Sequence, residues 1–461
     1  MTDTNKQTLQ SANKMATMPI GKLLLNMAVP LVISMLVQAL YNVVDSVYVS
    51  RVSESAGTAL SLAFPVQNLM IGFATGIGVG VNSILSKSLG ENNHERANRS
   101  AGNGFLLVAI VVACFMLFGA FLAKPYFNMQ SDVQETIDGG ASYLAIVTIF
   151  SLGSFVEILC ERLLQASGRS FYSMITQATG AIINIILDPI FIFGYFGLPA
   201  MGIAGAAVAT VIGQWVAALV ALFLNLRYNT DLKLSREDFK FDNYVLGNIL
   251  GVGIPSVIMV GIGSIMNFGM NQILQGFSET ATGVFGIYYK LQSFFFMPLF
   301  GINNATISIV AFNYGARKPK RIMGTVKLAA CGGLCIMLIG LAAFQLIPNI
   351  LLDLFNPSPE FMEMGITALR IISICFPVAA VCIITGSTFQ ALGNGIYSTI
   401  VSLCRQLLVL LPAAYLLSLS GNVNLVWWSF PIAEVMGLTI TMILFSKLYR
   451  QKIKPLYSEQ A

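Results

Sequence analysis

Charge is what this chain has least of. Of 461 residues only 10% are Asp, Glu, Lys or Arg, while 56% are hydrophobic; globular domains run nearer about 25% charged. So little charge cannot keep a soluble surface in water, and a polytopic membrane protein is expected, with no basis for nucleic-acid binding. Histidine occurs once, at His94 in a polar loop. That leaves almost no material for a metal site or a histidine-based catalytic relay, so neither an enzyme nor a resident cofactor is expected. The seven cysteines (114, 160, 331, 335, 375, 382, 404) all fall in apolar stretches without a CxxC pair. They read as small core hydrophobes rather than disulfides or metal ligands. The first 26 residues are polar, with no short apolar core before a small-residue cleavage site, so a cleaved signal is not expected.

What is present in quantity is long apolar runs. Twelve spans appear, at about 27–49, 60–86, 102–123, 139–161, 170–196, 203–226, 246–274, 282–310, 322–347, 365–389, 396–419 and 425–447. They are too long and continuous for barrel strands, so helices are the economical reading. Twenty Lys and Arg fall in the segments 1–26, 87–101, 162–169, 227–245, 311–321 and 447–461, whereas the opposite loops hold only Arg51 and Lys124. By the positive-inside rule both termini are expected in the cytoplasm, in an inner or plasma membrane.

The longest charged linker, Arg227 to Tyr244, splits the chain into six spans and six. The halves match at a constant offset of 225 residues: Pro30 with Pro255, Val32 with Val257, Asn42 with Asn267, Ser53-Glu54 with Ser278-Glu279, Gln67 with Gln292, Gly76-Ile77 with Gly301-Ile302, and Gly90 with Gly315. Far downstream Gln165-Ala166, Gly168 and Tyr172-Ser173 still match Gln390-Ala391, Gly393 and Tyr397-Ser398. An even number of spans per half predicts one orientation for both and a pseudo-two-fold along the membrane normal, with a cavity between lobes that rock. The expected organisation is a tail at 1–26, a first lobe at 27–226, a linker at 227–245, a second lobe at 246–447 and a tail at 448–461.

Acids inside the spans are few: Asp45, Glu157, Asp188 and Glu434, with Glu161 at a span end. A carboxylate deep in such a helix costs roughly 2.5–3.5 kcal/mol on insertion scales, and it persists where it faces protein or a watered cavity. Asp45 lies 18 residues past Met27 and Asp188 lies 18 past Ser170, so both sit about 27 Å from the inner end of helices running the same way. Asn184 lies one turn below Asp188, Gln38 and Asn42 precede Asp45, and Tyr143 and Thr210 enter from the outer ends of the fourth and sixth spans. Two carboxylates sharing a poorly solvated site compete for one positive charge and suit cation coupling; the alternative is a hydrogen-bonded pair that only pins helices. Pro30 and Pro189 are candidate hinges in the same helices. Gln38, Asn42, Gln67, Asn267 and Gln292, with Met270 and Phe296 from a Met- and Phe-rich second lobe, are candidates for a substrate cavity. Glu157 and Glu434 read as packing or interlobe hydrogen-bonding groups, and Lys290 and Arg405 as cavity charges or partners within the lobe. Arg370 is placed to snorkel at the outer end. The Gly76-Ile-Gly78-Val-Gly80 run lies mid-span with no strand before it, which favours close helix packing over a nucleotide loop.

With its twelve spans in two lobes, an Asp in the first helix, the Asn184-Ile-Ile-Leu-Asp-Pro189 run, and the Gln-Ala-x-Gly turns at Gln165 and Gln390, the chain resembles the multidrug and toxic compound extrusion (MATE) family over essentially its whole length. The resemblance implies two six-helix bundles in a V (the MATE/MOP fold) and cation-coupled efflux of varied, often cationic and aromatic, compounds. On it, Asp45 and Asp188 are the coupling acids, surrounded by Asn184, Tyr143 and Thr210. The NorM type also keeps acids in the seventh and tenth helices; here Asn267, Met270 and Asn271 occupy the seventh and the tenth has none. In this the chain resembles the DinF-like branch, with its MepA-type pumps, more than the NorM type. The expected activity is drug/H+ antiport by a monomer in the bilayer. Sodium at Asp45, Asn184, Asp188 and Thr210 is the alternative coupling ion. A lipid-intermediate flippase is a further alternative, though Lys290 and Arg405 alone make a thin cationic cavity.

Overall fold

Backbone groups in lipid must be satisfied within their own segment, and the described residues are helical throughout the apolar spans, with no strand among them. The computed structural model describes residues 14–50, 52–355 and 358–458, without the side chains of residues 42, 43, 46, 47, 50 and 54. The long helices are α1 (Ile20–Ser50), α2 (Glu54–Gly90), α3 (His94–Phe121), α4 (Gln134–Ile149), α5 (Leu152–Ala166), α6 (Ser170–Phe193) and α7 (Gly202–Tyr228). The second half repeats them as α8 (Asn243–Gln275), α9 (Glu279–Gly315), α10 (Pro319–Leu346), α11 (Pro359–Ser373), α12 (Phe376–Ala391), α13 (Gly395–Ser418) and α14 (Ser429–Leu448). Among the described residues ten helices are long and apolar enough to cross a bilayer, and counting each of two bent pairs as one span gives twelve.

The bent pairs are where the fourth and tenth spans, expected to be continuous, break: α4 meets α5 at 46° and α11 meets α12 at 47°. Pro377 lies in the first turn of α12, where its missing N–H costs nothing. In the first half Gly153 admits Trp215, to whose ring a Cβ would come within 2.8 Å. Pro30 and Pro189, in contrast, lie within unbroken helices. Several helices overrun the apolar limits because polar caps extend them. Ser53 Oγ accepts the Ala56 N–H and Ser278 Oγ accepts the Ala281 N–H, each at 3.1 Å.

Helices α1–α7 pack as one bundle and α8–α14 as another, joined by α2 against α8 and α1 against α9. Glycine sets that joint. A Cβ at Gly76 would stand 2.7 Å from Val257 Cγ2, and one at Gly301 would stand 2.7 Å from Val32 N. Gly90 faces the Phe312 carbonyl and Gly315 faces the Lys87 carbonyl in the same reciprocal way. Each contact maps onto its mate by the 225-residue offset, so a pseudo-two-fold runs through this interface. The contacts run from Asn68 Nδ2, donating to Ser264 Oγ at 3.2 Å, down to Gly90 at the end carrying the basic loops. One turn further out on the same helix faces as Asn68 and Ser264, Phe64 and Phe268 are 62% and 67% exposed, so the joint does not continue beyond that bond.

The expected tails are docked where described. Arg321 Nη2 donates to the Met15 and Met18 carbonyls at 2.9 and 2.8 Å, while Met15, 1% exposed, packs against Gly168 of the other bundle. The linker lies on α3, where Asn98 Nδ2 donates to the Lys233 carbonyl at 2.9 Å and Asn103 Nδ2 to the Lys240 carbonyl at 3.1 Å. Helix continues past α14 to Ser458, and Lys452 Nζ donates to the Leu392 carbonyl at 2.6 Å.

Candidate functional site

Small residues decide where the acids of the first bundle can meet. A Cβ at Gly213 of α7 would lie 2.9 Å from the Gly180 carbonyl and 3.3 Å from Asn184 Cβ on α6, and Gly205 abuts the Phe191 carbonyl in the same way. The two helices therefore pack backbone to backbone, and Thr210, one turn from Gly213, is pressed against Asn184. The Asn184 amide bridges Asp188 and Thr210. With its NH2 toward Asp188 it donates to Oδ2 at 2.9 Å, and its carbonyl accepts the Thr210 N–H at 3.1 Å and hydroxyl at 3.2 Å. Asp188 itself is wholly buried.

From α1, Tyr41 and Asp45 reach the same place one turn apart. The Asp45 charge is felt at Asp188, Tyr41 and Tyr143, which puts the two carboxylates within electrostatic reach of each other. The Tyr41 side chain also meets Thr210. Asp45 Oδ1 is shielded from solvent and has no hydrogen-bond partner among the described residues. Tyr143, 2% exposed, accepts Gln67 Nε2 at 2.8 Å and closes the cluster from α4 and α2. Among the described residues no ion pair reaches either acid. Two carboxylates in a dry bundle without a built-in cation must recruit a mobile one to be stable there together.

All five expected coupling residues, Asp45, Asp188, Asn184, Tyr143 and Thr210, thus lie in one cluster, and Gln67, expected in a cavity, joins them. Gln38 instead accepts Gln177 Nε2 at 3.0 Å and ties α1 to α6. The Asn42 side chain lies outside the described residues. The second-bundle candidates are held in that bundle's own packing. Asn267 donates to the Gly263 carbonyl at 3.1 Å, Gln292 accepts the Tyr288 hydroxyl at 2.7 Å, and Phe296 meets Phe376 edge-on at 5.4 Å. Met270 is a correction: it is fully buried in the apolar core, so it packs the bundle rather than lining an open cavity. Glu434 is paired within its bundle, Arg405 Nη1 donating to Oε1 at 2.8 Å, while Lys290 is exposed. Sequence reasoning passed over Tyr41, although its spacing of four from Asp45 places both on one helix face. The glycine run also resolves: Gly76 and Gly80 meet α8, and Gly78 makes room for the stem of buried Arg162.

Comparison with known proteins gives the same outline. The family model MatE matches residues 30–190 and again residues 255–416, the two matches beginning one repeat apart. A Shewanella oneidensis protein named FAD transporter is 23% identical over 418 residues, spanning 91% of this chain and 92% of its own. The multidrug export protein MepA of Staphylococcus aureus is 23% identical over 431 residues, spanning 92% and 93%. A solved outward-facing structure of a multidrug resistance MATE transporter of the MOP superfamily superposes with a TM-score of 0.90 at 24% identity, over 96% of this chain and 98% of that one.

Proposed function

This chain belongs to the MatE family of membrane transporters, and from that premise we propose that it exports small organic compounds, cationic aromatic ones foremost, in exchange for protons that load the Asp45–Asp188 pair. One observation carries the reading: two carboxylates sunk in a single bundle, one oxygen of Asp45 unpartnered, and no fixed cation beside them among the described residues. The positive-inside bias puts the basic end, and both termini, in the cytoplasm. Bundles joined toward the basic end and no further out than the Asn68–Ser264 bond then correspond to an outward-facing state.

In that state a proton from outside removes one negative charge from the pair, a cationic substrate loses that counter-charge and leaves, and the bundle, once reset, releases the proton to the cytoplasmic side. Exchange of one proton for one monovalent cation moves no net charge, so the pH difference drives it at about 1.4 kcal/mol per unit, and any further proton adds about 2.3 kcal/mol per 100 mV of membrane potential. Sodium is the second reading, supported by the oxygens of Asn184 and Thr210 grouped with the carboxylates. The two relatives bear names for quite different cargo, multidrug and FAD, so FAD belongs among the competitors tested.

The test is uptake of a fluorescent organic cation into proteoliposomes under an imposed pH gradient, in sodium-free buffer. Wild type should accumulate the dye, and Asp45→Asn and Asp188→Asn should each reduce the rate at least tenfold. Transport that requires sodium, or that survives both substitutions, overturns proton coupling through this pair.

A further inference from the structure

Two buried acids of the first bundle have no part in the scheme above. Glu157 and Glu161 stand one turn apart on α5 and interact with each other. Counting back from Ala166, the basic end of α5, Glu157 is nine residues up and Glu161 five, or about 14 and 8 Å. Asp188, 18 residues past Ser170, is about 27 Å up by the same rise. The four acids therefore descend through one bundle.

What lies between them is polar at each step. Tyr41, four residues before Asp45 on α1, lies about 6 Å nearer the basic end than that acid, and it is within electrostatic reach of Asp45, Asp188 and Glu157 alike. Glu157 Oε1 occupies the slot left by the missing side chain of Gly180, 3.5 Å from where its Cβ would be, with Gly213 and Ala217 closing the other side. Glu161 is 7% exposed, and its Oε1 has no hydrogen-bond partner among the described residues. Its chain neighbour Arg162 is buried as well, at 8% exposed. Arg162 Nη1 donates to Gln165 Oε1 at 3.0 Å, and Gln165 Nε2 donates to Ser173 Oγ at 2.9 Å, at the basic end. Alongside runs a second polar line, the Gln38–Gln177 bond and Ser34, 1% exposed with an unpartnered hydroxyl. A structural role alone leaves unexplained why a buried carboxylate oxygen is unpaired beside a second acid.

We propose that Glu157 and Glu161 are the release limb for the coupling proton, taking it from the Asp45–Asp188 pair and delivering it at the basic end. The proposal rests on proton coupling as read above. The proton leaves a carboxyl of the upper pair, crosses by the Tyr41 hydroxyl, which gives up its own proton as it receives another, and is held by the Glu157 carboxylate. It then passes to Glu161 and out past Arg162, and each group returns to its starting charge. Both glutamates are positioning residues for the proton and touch no substrate.

The experiment compares two modes in the same proteoliposomes, with the fluorescent cation as probe. Net uptake driven by a pH gradient requires proton release; exchange of labelled for unlabelled substrate at equal pH does not. Glu157→Gln and Glu161→Gln should lower net uptake at least tenfold and leave exchange within twofold of wild type. Glu157→Asp and Glu161→Asp, which keep a proton-holding group, should recover net uptake to within threefold. Net rates within twofold of wild type in the Gln variants overturn the relay, as does equal loss of net uptake and exchange with no recovery in the Asp variants. A wild type that cannot use a pH gradient overturns the underlying proton reading instead, so the two failures are distinguishable.

Discussion

Adding one methyl group at Gly301 should move the whole transporter. A Cβ there would stand 2.7 Å from Val32 N, 2.9 Å from Val32 Cα and 3.0 Å from the Leu31 carbonyl carbon. Carbon contacts are comfortable at about 3.5 Å or more, so the overlap is about 0.5–0.8 Å, and every neighbour is backbone. Side-chain rotation cannot relieve it; α9 and α1 must separate. Overpacking of this kind costs about 1–3 kcal/mol, and the cost falls only on the state in which the bundles touch at this level. Alanine also favours helix over glycine by about 1 kcal/mol, but that gain is common to both states and cancels. Gly301→Ala should therefore shift the equilibrium about 5–150-fold away from the state closed at the basic end. Spin labels at Leu198→Cys and Gly421→Cys report the separation of the bundle ends away from the basic loops, which should shorten. Gly286→Ala, on the same helix with nothing within 4 Å of its Cβ, is the control. A Gly301→Ala distance distribution that superimposes on the Gly286→Ala one refutes the reasoning. Adding Gly76→Ala should shift it less than twice as far, because one displacement clears both overlaps.

Two further outcomes follow from the charged groups. Asp242 caps α8, its Oδ1 accepting the Val245 N–H at 3.1 Å and the Tyr244 N–H at 2.9 Å. The Val245 donation foremost, against the opposing effect of desolvation, holds this carboxyl below the usual carboxylate range, with Tyr244 and Arg99 assisting. A depressed folded-state value means the stabilisation is present above the unfolded carboxylate value and disappears as pH falls through the folded one. Asp242→Ala should thus cost about 1 kcal/mol in detergent melts at pH 7 and progressively less below about pH 4, whereas Asp242→Asn keeps the cap; equal losses at pH 7 and pH 3 would contradict this. Within the second bundle, Arg405 and Glu434 are paired at 18% and 14% side-chain exposure. Glu434→Gln alone should cost about 3–5 kcal/mol by stranding the guanidinium, while Arg405→Met with Glu434→Leu should cost less than either single change; single variants that melt like wild type would show the pair is idle.

Much of this was readable in the residues. Apolar length gave the number of spans, and the 225-residue register, which pairs Gly76 with Gly301, gave the pseudo-two-fold; that these glycines form the joint between the bundles comes from packing alone. Asp45 and Asp188 could be set at one height because rise per residue is constant in a helix. What the residues could not convey was direction around the helix axis once helices bend or tilt. Met270 looked available to a cavity and is sealed in the core, because its side chain points into its own bundle. The breaks beside Phe150 and Ile374 were invisible to hydropathy, since both sides of each bend are equally apolar. Glu161 looked like a span-end acid, and only packing reveals that it is buried next to Arg162 rather than at the water surface.

The scaffold is two-fold and the chemistry is not, and on the proposed proton-coupled reading that mismatch is what would let an ion move the molecule. Asp45 has Met270 as its repeat mate, a side chain with no charge to gain or lose. Where the first bundle gathers acids without a counter-ion, the eleventh span holds Arg405 and the twelfth Glu434, which neutralise each other at 2.8 Å. The Arg405–Glu434 pair thus needs no visiting ion, whereas on the proposed reading the Asp45–Asp188 pair is complete only with one. On that reading, loading the pair would change the free energy of one bundle alone. The joint would transmit that change because its reciprocal glycine contacts on α1, α2, α8 and α9 admit little compression: backbone lies against backbone, which favours rigid-body rolling of the bundles over yielding side chain by side chain. Had both halves kept unpaired acids, loading would leave no difference between them to drive the tilt.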